Sequence, residues 1–249
     1  MAWVRGQHLD RVAREAGMEV ERLPIGRTAA YGLPRRALLG AALGVAGALL
    51  LPTSARAGMS AVDRTFRVLR KGQDIGRHHV AFTHKGEDLA VEVTVELVVK
   101  MAFITVYRFR QSGRDLWRGG VLVEAHTATN DDGQQSELVA RAEGGSLHVA
   151  GASGSQVLPL GSMTDLCFWN DEILRAPQVV DTQTGAATRL QTERGSRAPL
   201  LVAGDELMAT SYRVDAGDGR AGTIWYDESE AWVRADFTTR GERLVYELL

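Results

Sequence analysis

The alternation of apolar and polar residues between Leu89 and Lys100 restricts the possible folds more than any other feature of this chain. Apolar side chains occupy every second position, at Val91, Val93, Val95, Leu97 and Val99. A repeat of two places these side chains on one face of a β-strand, whereas an amphipathic helix repeats about every 3.6 residues. The segment is therefore predicted to be a strand with one face buried.

Similar alternating runs recur along the chain, and short segments rich in Gly, Asp and other polar residues separate them. These segments lie at 85–88, 112–115, 130–133, 143–145, 217–219 and 240–242. We predict strands near 62–70, 75–83, 89–100, 103–112, 120–129, 135–143, 146–150, 178–182, 187–193, 206–215, 222–227, 231–239 and 243–248. Each short turn is expected to connect neighbouring antiparallel strands.

The fold class expected from this pattern is all-β. No amphipathic helix is long enough to join parallel strands, so we expect an antiparallel meander. The predicted strands outnumber the roughly ten that a twisted open sheet carries without curling. The sheet is therefore expected to curl into a barrel, a half-barrel or a two-layer sandwich. One short irregular or helical segment, near 158–177, is expected either to separate two lobes or to cover the barrel mouth.

The N-terminal part of the chain has the composition of an export signal. Arg35 and Arg36 precede an uncharged apolar run, 37–51, and Ala55 and Ala57 form an A-x-A cleavage site. The run is shorter than the roughly 20 residues of a membrane-spanning helix. The arginine pair favours the twin-arginine route over general export. We therefore expect a cleaved signal peptide.

Cleavage would divide the chain into an N-terminal extension with its signal peptide, 1–57, and a single all-β domain, 58–249. We expect this domain in the periplasm of a Gram-negative bacterium, with no membrane span after cleavage. It carries 21 basic and 27 acidic side chains, hence a net charge of −6. An acidic domain without a basic stripe is not typical of nucleic-acid-binding proteins, so we expect no nucleic acid among its partners.

The residue types that carry catalysis or bind metals form no recognisable pattern. His78 and His79 are adjacent, and neighbours on a strand point to opposite faces, so they cannot hold the same ion. Cys167 is the single cysteine, and we expect it to be a buried thiol. The sequence has no G-x-S-x-G nucleophile elbow. We therefore expect no metal, no cofactor and no catalytic residue, and an enzyme is the least favoured interpretation.

Aromatic and amide side chains are the candidate ligand-binding residues. Trp169 and Asn170 lie in the irregular segment, where binding residues concentrate. Alternatively, Trp169 closes one end of the barrel while Asn170 caps a turn. Trp225 and Tyr226 precede a tight turn, where one of them lines a pocket or an aromatic side chain anchors the sheet. Tyr107 lies on a strand whose aromatic side chains we expect to face the interior.

A set of short motifs runs through both halves of the chain. In the C-terminal half they are FWN at 168–170, VDTQTG at 180–185, YRV at 212–214, IWYD at 224–227, WVR at 232–234 and YEL at 246–248. In the N-terminal half they are WRGG at 117–120 and TATNDDG at 127–133. With these motifs the chain resembles a family of exported proteobacterial proteins known only as a domain of unknown function. The resemblance spans most of residues 62–249, implies a periplasmic all-β protein and assigns no catalytic residue.

In architecture only, the chain is also similar to periplasmic lipoprotein carriers and other half-barrels that shield acyl chains. Two non-enzymatic functions follow. The first is an envelope-assembly factor, or a binding protein for a lipid or other apolar or amphipathic ligand. Such a ligand would be buried against the valine-rich strands, Phe103 and Tyr107, with 158–177 as a gate. The second is a module whose exposed sheet edge recruits a strand of an envelope protein.

An internal cavity would favour the first function, and a filled core with a long uncovered edge would favour the second. A hydrolase or isomerase is the third and least favoured interpretation.

Overall fold

The computed structural model describes residues 62–249, so the predictions for Arg35, Arg36, Ala55 and Ala57 lie outside the described residues. The strands are β1 (Arg64–Arg70), β2 (Gln73–Lys85), β3 (Asp88–Met101), β4 (Ile104–Arg118), β5 (Val121–Asp131), β6 (Gln134–Glu143), β7 (Ser146–Gly151), β8 (Gly154–Pro159), β9 (Met163–Thr164), β10 (Val179–Val180), β11 (Ala187–Thr188), β12 (Gln191–Val202), β13 (Asp205–Asp215), β14 (Ala221–Asp227), β15 (Trp232–Thr239) and β16 (Glu242–Leu248). Two short 3-10 turns span Cys167–Trp169 and Asp171–Arg175. None of the helices in this range has the length and hydropathy that crossing a membrane requires.

Thirteen of these strands form one antiparallel sheet in the order β12-β13-β14-β15-β16-β1-β2-β3-β4-β5-β6-β7-β8. β1 pairs with β16, with Phe66 opposite Leu248, so these two strands lie in the middle of the sheet order. β8 and β12 are the two edges, and the sheet is not closed. The short strands β9, β10 and β11 form a second sheet, in which β9 and β10 are parallel. The all-β antiparallel fold is thus confirmed.

The alternation along β3 has the predicted structural basis. Its apolar side chains share one face, and Val91, Val93, Val95 and Leu97 are buried. Glu92, on the other face, is exposed and forms an ion pair with a neighbouring strand. Burial of the apolar face stabilises the sheet by roughly 25 cal/mol per Å² of apolar surface removed from water.

The chain between β8 and β12, residues 160–190, packs against the buried face of the sheet, and we call it the plug. Its Leu166 side chain lies over Gly113 of β4, where a Cβ atom would come within 2.5 Å of Leu166 Cδ1. Phe168 of the plug contacts Phe237 of β15, with ring centroids 5.2 Å apart. Because β4 and β15 belong to different halves of the sheet order, the sheet curls around the plug. Buried side chains of the plug and of both halves belong to one hydrophobic cluster.

The structure corrects three sequence predictions. The turn predicted at 112–115 is wrong, because β4 runs without interruption through Gly113, whose missing side chain leaves room for the plug. The strands predicted near 178–182 and 187–193 shrink to the two-residue strands β10 and β11. The edge strand β8 is absent from the prediction, and β12 is covered only over 191–193 by the strand predicted near 187–193, because Gly, Ser and Pro in these segments are typical of loops.

Candidate functional site

Trp169 and Asn170 are structural residues of the plug. The Trp169 ring is buried and meets Phe82 of β2 and Trp117 of β4 edge-on, with centroid distances of 5.1 and 5.2 Å. Asn170 Oδ1 accepts a hydrogen bond from the backbone N–H of Glu172 at 3.1 Å, which caps the second 3-10 turn. Trp169 thus packs against the buried face of the sheet, where the alternative interpretation placed it at one end of the barrel, and Asn170 caps a turn.

The other three candidate residues do not converge on one pocket. Tyr226 is buried, and its hydroxyl donates to the backbone oxygen of Phe168 at 2.8 Å. Trp225 lies on the opposite face, under the guanidinium of Arg234. Tyr107 donates to Asp131 Oδ1 at 2.7 Å.

Phe103 is fully exposed, so the prediction that it lines an interior wall is wrong. It lies in the turn between β3 and β4.

The two adjacent histidines face opposite sides of β2, as predicted. His79 Nδ1 lies 2.8 Å from Thr65 Oγ1. His78 is buried among Phe66, Trp232 and Tyr246, and this burial lowers its pKa to about 3. Over residues 62–249, no three His, Cys, Asp or Glu side chains are grouped so that they could hold a metal ion.

Asp115 is a buried acid that sequence reasoning missed. It is 1% exposed on β4, and Cys167 Sγ of the plug donates to its Oδ2 at 3.4 Å. Its Oδ1 has no hydrogen-bond partner within the described protein. Burial raises the pKa of this carboxyl to about 7. The Cys167 thiol is also buried, as predicted, and burial raises its pKa well above the usual value.

Arg220, in the turn between β13 and β14, forms ion pairs that connect the plug to the sheet. Its guanidinium lies 3.1 Å from Asp165 Oδ2 and 2.7 Å from Asp181 Oδ2, both in the plug. It also pairs with Asp218 in its own turn at 2.7 Å. Burial and the neighbouring Asp181 raise the pKa of Asp165 to about 6. One cation thus offsets the repulsion between acids that the plug brings together.

Replacing Arg220 with methionine is expected to lower the free energy of unfolding by about 2–3 kcal/mol, because two largely buried carboxylates lose their cation. The control is Arg114→Met, which breaks an exposed ion pair with Glu92 and is expected to cost less than about 1 kcal/mol. Urea denaturation of both variants measures the difference. Equal losses in the free energy of unfolding for the two variants would show that the ion pairs of Arg220 with the plug do not stabilise the fold.

The candidate functional site is a groove of about 300 Å³ between the second 3-10 turn of the plug and the strands β12, β13 and β14. Arg194 and Arg197 of β12 lie directly opposite Tyr212 and Thr210 of β13, and Thr210 lies opposite Tyr226 of β14. Directly opposed residues share one face of a sheet, so both arginines lie on the face that carries Tyr226. The lining residues are Asp171, Arg175, Arg194, Arg197, Met208, Thr210, Tyr212, Tyr226, Asp227, Glu228 and Glu230.

The groove contains charges of both signs, and most of its cations are already paired. Arg175 binds Asp171 at 2.9 Å, and Arg197 forms an ion pair with Glu228. Arg194 has no ion pair and no side-chain hydrogen bond within residues 62–249. Its guanidinium is therefore available to an acidic group that enters the groove.

The groove lies beside the free edge of β12. Residues 191–199 are exposed, and β13 is the strand that pairs with β12. A bulge between Arg194 and Arg197 interrupts the register, and Pro199 has no N–H to donate. Residues 191–194 are therefore the stretch of β12 in which the N–H and C=O groups on the outer side can pair with another strand without interruption.

The opposite edge, β8, is shorter and is contacted by the plug. It has six residues, and the side chain of Gln156 donates to the backbone oxygen of Gly185. The two edges of the sheet therefore differ in accessibility, and β12 offers the longer free stretch.

Comparison with known proteins gives a family and a fold. Residues 66–249 match the profile of a family described as a domain of unknown function, DUF6134. Among solved structures, the chain is similar to a β-barrel-like protein of the domain of unknown function DUF1849 from Brucella abortus. The TM-score is 0.54 and the identity 10%, over 75% of this chain and 94% of that chain. At this identity the likeness supports the fold alone. No curated protein gives a significant match.

Proposed function

The chain belongs to the DUF6134 family, a domain of unknown function, and from this premise we propose that it is an exported periplasmic binding module without enzymatic activity. It binds a short extended segment of an envelope protein along residues 191–194 of β12. The observation that carries this proposal is the open edge of β12 beside a groove in which Arg194 is unpaired. Export is supported by the basic, apolar and small residues of 1–57.

The packing of the plug is the reason for preferring the edge over an internal ligand. Val93, Val95 and Leu97, which would line the wall for an acyl chain, belong to the same hydrophobic cluster as the plug residues. Trp169 occupies the space between β2 and β4 that such a chain would need. An interior ligand would have to displace these contacts, whereas a partner at β12 displaces none.

Edge pairing gives affinity through the backbone, and the groove gives selectivity. An added strand supplies N–H and C=O groups to the open side of β12 and buries little apolar surface. Side chains of the added strand that face the groove meet the Arg194 guanidinium, which favours an acidic residue at that position. The partner segment is therefore expected to be short, extended and acidic at one position.

The proposal is tested by placing a photo-crosslinking residue at Glu193, which lies on the exposed edge, and irradiating cells that export the protein. We expect a discrete crosslinked envelope protein, and we expect Arg194→Glu to abolish the product. A synthetic peptide of the crosslinked segment is then expected to protect the backbone amides of 191–194 from hydrogen exchange, and to do so saturably.

The matched control is Lys85→Glu, which makes the same charge change at an exposed position at the end of β2, away from β12. Equal loss of crosslinking in both variants would show that net charge, not the groove, determines binding. Amide protection outside β12 would place the partner elsewhere. A stoichiometric lipid adduct in native mass spectrometry, lost in Trp169→Ala, would instead support the carrier interpretation.

A further inference from the structure

The hairpin of β3 and β4 extends beyond its neighbours in the sheet. Pairing of β3 with β2 ends at Leu97, and pairing of β4 with β5 ends at Phe109. The two strands continue to pair with each other to Met101 and Ile104. Residues 98–108 therefore form a two-stranded projection, which we call the finger, and it extends about 13 Å past the adjacent strands.

The end of the finger is apolar and exposed. The exposed fractions are 69% for Met101, 100% for Phe103, 70% for Ile104 and 45% for Val106. None of these side chains belongs to the hydrophobic clusters of residues 62–249. Large exposed apolar side chains grouped at a projection are typical of an interaction surface rather than of a solvated turn.

The finger carries positive charge and no acidic residue. Lys100 and Arg108 are its charged side chains, and neither forms an ion pair in the described part of the chain. Three carboxylates lie at its base. Glu96 pairs with Arg110 at 3.6 Å and Asp131 with Arg240 at 2.6 Å, while Asp132 Oδ1 accepts a hydrogen bond from the backbone N–H of Arg108 at 3.3 Å. The surface net charge of this projection is therefore opposite to that of the domain as a whole.

The order of these residues along the finger matches the layers of a bilayer surface. Phe103 lies at the tip, Lys100 lies three residues behind it, and Arg108 lies five residues behind it on the other strand. At about 3.4 Å per residue, the cations are roughly 10–17 Å along the chain from the tip. Interfacial segments bury their apolar side chains about 5–10 Å deep, with basic side chains at the headgroups.

We propose that the finger inserts into the interfacial layer of a membrane with anionic lipids, with Phe103, Met101 and Ile104 among the acyl chains and Lys100 and Arg108 at the headgroups. Anionic headgroups complement Lys100 and Arg108, and the acyl chains complement the apolar tip, so a membrane surface meets both features of the finger at their observed spacing. The inference is independent of the edge proposed above, since six strands lie between β12 and β3 in the strand order.

A local fluorescent reporter tests the proposal in the full chain. In Phe103→Trp, tryptophan emission is expected to shift to the blue when vesicles of equal parts phosphatidylglycerol and phosphatidylcholine are added. The shift is expected to be smaller with pure phosphatidylcholine. The control is Leu201→Trp, because Leu201 is likewise a large exposed apolar residue, 69% exposed, but lies near the end of β12, and the variant is expected to show no shift. The chain has five tryptophans of its own, Trp3 among them, so the signal is the difference between the spectra of Phe103→Trp and wild type, which removes shifts caused by contacts elsewhere in the chain.

The charge contribution is tested by adding Lys100→Gln and Arg108→Gln to the Phe103→Trp variant. Each basic side chain near an anionic surface contributes about fivefold in affinity, so the double change is expected to weaken vesicle binding roughly 30-fold. Absence of a blue shift in a folded Phe103→Trp protein would overturn the proposal. So would a blue shift that depends on protein concentration without vesicles, which would show association between copies of the chain.

Discussion

Replacing Trp169 with alanine is expected to lower the free energy of unfolding by about 3–5 kcal/mol. The side chain is 6% exposed and fills the space between Phe82 and Trp117, so alanine would leave a cavity inside the curled sheet. The plug also loses its aromatic contacts with β2 and β4. The loss is measured from the midpoint and slope of guanidinium denaturation, followed by circular dichroism.

Trp225→Ala is the matched control, because the same residue type lies half-buried on the opposite face of the sheet, against a smaller hydrophobic cluster and 5.8 Å from the Arg234 guanidinium. We expect a loss of about 1 kcal/mol for this variant. If both variants were equally stable, Trp169 would not be a core residue. The filled interior on which the proposed function rests would then lose its main support.

Asp115 is expected to make the stability of the protein fall as the pH rises. Burial raises the pKa of its carboxyl to about 7 in the folded chain, against about 3.9 when unfolded. Between these values the folded state binds more protons than the unfolded state, so the free energy of unfolding decreases as pH increases. The full difference corresponds to up to about 4 kcal/mol between pH 4 and pH 8. Asp165, with its pKa raised to about 6 by burial and Asp181, acts in the same direction.

The experiment compares wild type with Asp115→Asn, which keeps the shape of the side chain and cannot ionise. The variant is expected to gain stability relative to wild type as the pH rises from 5 to 8, and the gain is measured by urea denaturation at each pH. Asp205→Asn, at an exposed position, is the control and is expected to follow the wild type. A difference between Asp115→Asn and wild type that is constant with pH would contradict a protonated Asp115.

His78 produces the opposite dependence at lower pH. Burial lowers its pKa to about 3, so the unfolded state binds the extra proton below about pH 6.5. The stability contributed by His78 is therefore lost as the pH falls from about 6.5 towards 3. Because the Asp115 comparison is a difference between variant and wild type, the His78 contribution cancels from it.

The parts of the fold that were predictable are those in which one face of a strand is buried. Along β3 the alternation of valine with glutamate determines both the strand and its orientation, because a shift of one residue would place every valine in solvent. The family resemblance carried by the motifs of both halves was also confirmed. Interior strands with one buried face can therefore be predicted from a single sequence.

The candidate site was not predictable in the same way. The edge strand β12 is exposed on both faces over 191–199, so it has no alternation, and Gly195 and Pro199 are typical of loops. Its conformation depends on pairing with β13, which the local sequence does not encode. Asp115 was missed for a related reason, because Gly113 beside it is typical of a turn while its actual role is to admit Leu166.

The pairing of β1 with β16 has a consequence for how the chain reaches its folded state. Phe66 and Leu248 are neighbours in space but about 180 residues apart in sequence, and their ladder joins two meanders that can each form from local hairpins. Closing so long a loop is slow compared with forming a hairpin, so the pairing of β1 with β16 is expected to form last. Until it does, β1 and β16 are exposed edges with apolar faces, and we expect the half-assembled chain to be prone to aggregation.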